Sequence, residues 1–305
     1  MQLTTAELMG GLGNQLFQIF AVLAYSLKYK LPFYFSAEPI QQGQRKQTYW
    51  QTSLLRTLKP FVKNPPNNPP PTILYERGFH YQALPFYEQE HIKFFGYFQS
   101  YKYFVEQQPI IYRLLKLKET QEQIKARTPY PYEKNLIAVH FRLGDYVQLP
   151  NHHPVMPLEY YTKALIQMEQ DQAKAKQDQA KAKQDQAKAK QDQAKAEQHI
   201  LYFCEQDDQT YVEKQFIQPL QNHPQLQGKF TFQCIDHTLA DWEQMVVMSL
   251  CKHHVIANST FSWWGAYLEM GAAPHVYYPA TWFGPAMGDK NMADLFPPQW
   301  QKITI

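Results

Sequence analysis

The stretch "LIAVHFRLGDY", Leu136 to Tyr146, decides the fold. Leu136, Ile137, Ala138 and Val139 are apolar in unbroken succession, the pattern of a strand buried on both faces of a parallel sheet. The run then stops on His140, Arg142, Gly144 and Asp145. In open α/β sheets ligands sit beyond the carboxyl ends of the strands, where an arginine can grip a phosphate while a carboxylate orients it. Arg142 is the candidate phosphate contact, Gly144 relieves crowding, and Asp145 orients Arg142 or the imidazole of His140. Taken alone, the same residues also describe a surface ion pair between Arg142 and Asp145 beside a satisfied core His140.

Working outward, the second half alternates regularly. A helix is expected at "PLEYYTKALIQMEQ", a strand at "HILYFCEQDD", a helix at "WEQMVVMSLCKH", a strand at "HVIA", a helix after "NSTFS" and a strand at "HVYYPA". The N-terminal "LTTAELMGGLGNQLFQIFAVLAYSLKYKLPFYF" is a βαβ opening, with Leu16, Ile19, Phe20, Leu23 and Leu27 on one face of its helix. Ser36 to Pro71, ending "NPPNNPPP", is expected to be irregular. "IKFFGYFQSYKYF" suits a strand and loop, "IIYRLLKLKETQEQIKAR" has helical spacing, and "TPYPYEKN" resembles a linker. The fold class is therefore α/β. At 305 residues two domains are expected, since one core usually organises about 100–200 residues. They divide as 1–130 and 131–305, with a heptad insert at 171–198.

In that insert "DQAKAKQ" recurs from Asp171, Asp178, Asp185 and Asp192. Ala, Lys and Gln favour a solvated helix. The two alanines of each heptad lie about 200° apart around it and make no coiled-coil seam. A spacer between a helix and a strand is the expectation, because added length there costs little.

Composition narrows the function classes. Lys and Arg total 30 against 27 Asp and Glu, and the dense lysines sit in a repeat that also carries aspartates, so nucleic acid is not expected as a partner. The three cysteines, Cys204, Cys234 and Cys251, stand far apart and show no Cys/His ligand spacing, so reduced buried thiols are expected. "LFQIFAVLAYSL" is too short for a membrane span and lacks a basic flank, which points to a cytoplasmic protein. Asp-x-Asp, HExxH, P-loop and GxSxG patterns are absent from the sequence.

Two further stretches carry chemistry. "GGLGNQ", Gly10 to Gln15, lets the backbone turn sharply between strand and helix, yet Leu16 stands where a dinucleotide fingerprint needs its third glycine. In "ANSTFSWWGAYL" a strand ends at Ala257, and Asn258, Ser259, Thr260, Phe261 and Ser262 lead into a helix whose N-terminus favours an anion. Ordinary N-capping, with Trp263 and Trp264 as core aromatics, is the compatible alternative.

"GGLGNQLFQ", "FFGYFQSYKYF", "VHFRLGDYV", "LYFCEQD" and "IANSTFSWWGAYL" together resemble the bacterial α-1,2-fucosyltransferases of glycosyltransferase family 11. The resemblance implies a GT-B architecture, two Rossmann-like domains facing across a cleft, with GDP-β-L-fucose held mainly by the second. It implies inverting transfer of fucose to the 2-hydroxyl of a terminal β-galactoside, with no metal and no other cofactor. Carried onto this chain, Arg142 contacts the β-phosphate with His140 and Asp145 beside it. Glu205, Asn258, Ser259, Thr260, Phe261 and Ser262 lie on the donor side. Gly11, Gly13, Asn14, Gln15 and Tyr97 lie on the acceptor side. Leu143 stands where the family usually has a second arginine. His140 and Asp145 remain the candidate bases, since the amide of Asn14 accepts a proton poorly. A transferase for another nucleotide sugar, and a noncatalytic carbohydrate-binding protein using its Trp and Tyr as stacking platforms, are the alternatives.

Overall fold

The computed structural model describes residues 2–40, 47–64, 70–184, 198–271 and 274–305. The first half comprises β1 (Leu3–Ala6), α1 (Leu12–Tyr29), β2 (Phe35–Ser36), β3 (Val62–Lys63), β4 (Thr72–Tyr75), β5 (His91–Phe95), α2 (Gln108–Leu114) and α3 (Leu117–Arg127). The second comprises β6 (Ile137–His140), α4 (Leu158–Gln184), β7 (Gln198–Phe203), α5 (Gln209–Val212), α6 (Gln218–Asn222), β8 (Phe230–Cys234), α7 (Asp241–Ser249), β9 (His253–Val255), α8 (Thr260–Tyr267), β10 (Val276–Pro279) and β11 (Gln301–Ile303). No helix among the described residues is long and apolar enough to cross a membrane.

The larger sheet has six strands in the order β11-β10-β9-β6-β7-β8, all parallel. As anticipated from its unbroken apolar run, β6 is central and buried at every residue. The smaller sheet runs β1-β5-β4, also parallel, with β2 and β3 forming a separate parallel pair. Each half of the chain thus carries a parallel α/β sheet.

Several elements depart from the sequence reading. The supposedly irregular segment contains a short 3-10 turn, Arg56–Phe61, and the β2–β3 pair. β4, β8 and β11 were not anticipated. The helical stretch before residue 127 is two helices, broken where Lys116 takes φ 51°. α1 is buried almost all round rather than on one face, because it is sandwiched between the two halves of the molecule. α4 continues into the first two heptads of the repeat, anchored there by Asp171, which accepts hydrogen bonds from Tyr277 Oη (2.6 Å) and Gln167 Nε2 (2.9 Å). Residues 185–197 of the repeat lie outside the described residues.

The two halves share one hydrophobic core. Phe17 and Phe20 of α1 meet Trp263 and Trp264 of α8, with ring centroids as close as 4.5 Å. Phe104 stacks on Trp264 at 5.4 Å. Both tryptophans are fully buried, the core aromatics of the plainer reading. Gly13 explains how the helices approach so closely. A Cβ there would lie 2.6 Å from the Thr260 carbonyl carbon, so only glycine fits. α2 and α3 reinforce the junction: Tyr112 donates to the Tyr267 carbonyl at 2.7 Å, and Gln121 donates to Ser249 Oγ at 2.9 Å and to the Leu268 carbonyl at 3.0 Å.

Three histidines are buried in the central strands of the larger sheet: His140 in β6, His253 and His254 in β9. Burial pushes each from its ordinary value of 6.5 down to about 3, by disfavouring the imidazolium. The unfolded chain therefore binds these protons at a higher pH than the folded one, so stability is fully present above about 6.5 and is lost as pH falls toward 3. Each group contributes a slope of up to about 1.4 kcal/mol per pH unit. Urea denaturation at pH 7, 5.5 and 4.5 should show a stepwise fall in unfolding free energy; a constant value over that range would contradict the buried neutral imidazoles.

Candidate active site

The order of the larger sheet has a switch point. From β6 the chain proceeds outward to β7 and β8; β9 then returns to the other side of β6 and leads to β10 and β11. The loops leaving β6 and β9 therefore diverge, opening a crevice at their carboxyl ends, where open α/β sheets bind ligands. A cavity of about 600 Å³ occupies that place. Its second wall comes from the smaller-sheet half, through the Gly10–Asn14 turn, Tyr97 and Gln99. Of the catalytic, donor-side and acceptor-side residues anticipated from the sequence, all but Gln15 and Ser262 line it.

Arg142 is the electrostatic centre. Its guanidinium donates to Glu205, two residues past the end of β7, and to Asp145, while its carbon lies 4.9 Å from the centroid of the Tyr146 ring. The side chain is only 14% exposed. Burial opposes its charge, but Glu205 and Asp145 outweigh burial and hold the pKa above its ordinary value. Gly144 allows this geometry. It takes φ +47°, its N–H donates to Asp208 Oδ2 at 2.9 Å, and a Cβ there would stand 3.0 Å from Glu205 Oε2.

On the opposite lip, Ser259 caps α8, its Oγ accepting from Phe261 N at 3.3 Å. Asn258 braces the loop, donating to the carbonyls of Pro154 (2.9 Å) and Trp282 (3.1 Å). Asn14 Oδ1 accepts from Gln99 Nε2 at 3.0 Å, tying the glycine turn to the segment after β5.

Three of the expected site residues are placed differently from the rest. Gln15 turns away from the cavity: it is 1% exposed and donates to the carbonyls of Gly10 and Gln47, both at 2.9 Å, so it braces the turn. Ser262 is fully buried and donates to the carbonyls of Ala257 and Ser259, bonds that a helix interior favours over a ligand. His140 is a poor candidate base, because burial and the Arg142 charge depress its affinity for a proton. Leu143 is 4% exposed and packs in the apolar cluster around Phe141 and Tyr161, so its position offers no room in the cavity for a second cation.

Comparison with known proteins follows this geometry. Residues 191–304 match the profile of Glycosyl transferase family 11. The O-antigen biosynthesis glycosyltransferase WbnK of Escherichia coli is 31% identical over 152 residues, which cover 49% of this chain and 39% of that relative. The alignment thus spans less than half of that relative's length. The alpha-1,2-colitosyltransferase of Escherichia coli is 22% identical over 99% of both chains. Among solved structures, Arabidopsis thaliana FUT1, as a variant in complex with GDP, is similar over 97% of this chain and 74% of its own, at 10% identity and a TM-score of 0.45.

The cavity also contains residues that sequence reasoning missed. Gln99 lies in the quoted "GYFQSYKYF", where only Tyr97 had been singled out. Lys290 reaches over Phe79 and Phe283, 5.3 and 5.5 Å from their centroids, from a segment with no regular pattern. His237 and Asp241 enter from the turn after β8 and the start of α7. Replacement of Gly144 by alanine tests how the arginine is held. The left-handed backbone and the displaced Glu205 should cost about 1–2 kcal/mol, read as a lower denaturant midpoint. An unchanged midpoint would show that the loop accommodates a side chain.

Proposed function

We propose, from the match of residues 191–304 to the Glycosyl transferase family 11 profile, that the chain transfers L-fucose from GDP-β-L-fucose, with inversion, to the 2-hydroxyl of a terminal β-galactoside. The observation that carries the proposal is the position of Arg142: a charged, half-enclosed guanidinium just beyond the central strand, opposite the capped N-terminus of α8, in a cavity walled by both sheets. The GDP moiety occupies the larger-sheet side and the acceptor the side of Asn14, Tyr97 and Gln99.

The charges explain why direction matters. The lining holds two cations, Arg142 and Lys290, against three carboxylates, Asp145, Glu205 and Asp241. A diphosphate therefore gains from aimed N–H groups rather than from net charge. A guanidinium has five such donors, and the observed carboxylate contacts engage two of its nitrogens. Held before the donor arrives, they stabilise the charge that builds on the departing GDP without reorganising, and each such donor is worth about 3–4 kcal/mol in the transition state. Departure of GDP leaves an oxocarbenium-like sugar that the acceptor hydroxyl oxygen attacks from the opposite face, its proton passing to solvent water as the new C–O bond forms. Such a loose transition state asks little of the base, in keeping with the weak basicity of His140.

A second reading has a specific support: the colitosyltransferase that aligns over 99% of both chains carries a different sugar in its name, with the same α-1,2 linkage. A transfer assay separates the two. GDP-fucose should yield a 2-linked fucoside on a β-galactoside panel, identified by mass and linkage, without added Mg²⁺ or Mn²⁺. Product from a colitosyl donor alone would move the assignment to the second reading, and glycan binding without GDP affinity would move it to a lectin-like protein. Arg142→Ala should lower turnover by roughly a hundredfold or more while the chain stays folded; near-normal turnover would remove Arg142 from the donor site.

A further inference from the structure

Cys204, Cys234 and His237 look unrelated in the sequence, but the parallel pairing of β7 and β8 brings them together. Tyr202 is in register with Cys234, so Cys204 and Cys234 lie at the carboxyl ends of neighbouring strands. The turn after β8 then returns His237 over both. One ligand atom from each residue lies within 4.8 Å of the others, and Cys234 Sγ is 3.5 Å from His237 Nε2. In tetrahedral zinc sites, with about 2.3 Å to sulfur and 2.0–2.1 Å to nitrogen, a sulfur and a nitrogen on one ion stand roughly 3.5 Å apart. The observed separation is already that of one edge of the tetrahedron.

The surroundings fit the same chemistry. Cys204 is buried, while Cys234 and His237 are half-buried, so two soft sulfurs and one imidazole meet at the edge of the cavity. Cys204 and His237 both line the cavity. The third cysteine is elsewhere: Cys251 is buried in the shared core, its thiol directed at the Val247 carbonyl at 3.6 Å.

We propose that Cys204, Cys234 and His237 form a binding site for one zinc-class divalent ion, with the fourth coordination position open to the cavity. Binding displaces one proton from each thiol to solvent, and the two thiolates balance the charge of the ion. Three protein ligands with one open position distinguish the site from a closed structural zinc centre. A water completes it. The ion clamps the ends of β7 and β8. Through the Cys204–Glu205 peptide it also fixes the carboxylate that engages Arg142. The site stands independently of the sugar donor.

The test uses the full chain, reduced and then loaded with Co²⁺ or Zn²⁺ as the only added metal. Co²⁺ should give thiolate-to-cobalt charge-transfer bands and intense tetrahedral ligand-field bands. Zinc should remain at about one equivalent per chain after gel filtration, the stoichiometry of one Cys₂His site. Cys204→Ser and Cys234→Ser should abolish both signals, His237→Ala should lose the tetrahedral spectrum, and Cys251→Ala should retain it, with circular dichroism checking that each variant is folded. Wild-type protein without thiolate–cobalt bands, or with substoichiometric zinc under reducing conditions, overturns the proposal. So does a Cys204–Cys234 disulfide found by peptide mass in the chain isolated with its thiols blocked. Because the readout is metal occupancy, failure here leaves the transferase reading untouched, and an inactive transferase leaves this site standing.

Discussion

The packing of α1 against α8 is the constraint on which the architecture rests. Phe17 and Phe20 on one side and Trp263 and Trp264 on the other are fully buried, and Gly13 lets the two backbones close to contact at Thr260. The same contact sets the two walls of the cavity opposite each other, because the glycine turn precedes α1 and the Ser259 cap precedes α8. Rotating one half away from the other would expose this aromatic seam. Burying a large apolar side chain is worth about 1.5–3 kcal/mol, so a wide opening is expensive.

Within that stiff frame, the electrostatics are local. Arg142 is anchored from two directions, by Asp145 on its own loop and by Glu205 at the end of β7. The arginine is thus both charged and oriented before any ligand arrives. Preorganisation of this kind comes from the fold: the loops leaving adjacent parallel strands converge on one side chain.

What could be read in the sequence was what is encoded locally. β6 was visible because Ile137, Ala138 and Val139 are buried on both sides and need no polar alternation. Arg142 and the Ser259 cap were visible because they stand immediately beyond strands. β4 was hidden because it is an edge strand with Ile73 and Tyr75 exposed at 42% and 65%. β11, with three residues, is too short to show a period. Gly13 illustrates a deeper ambiguity: a glycine that allows close approach looks the same whether the approaching group is a ligand or another helix, and here a helix is packed against it. The Cys204–Cys234–His237 cluster was illegible because spacing along the chain says nothing about the register of β7 on β8.

The parallel sense of the larger sheet has a consequence for the heptad repeat. All its strands point the same way, so the crossover after α4 returns the chain to the amino end of β7, while Arg142 and the α8 cap gather at the carboxyl ends. α4 ends at Gln184 within the repeat, and β7 begins at Gln198. The polarity of the sheet thus separates the cavity from the start of β7, and Asp171, bonded to Tyr277 and Gln167, fixes the first residue of the repeat.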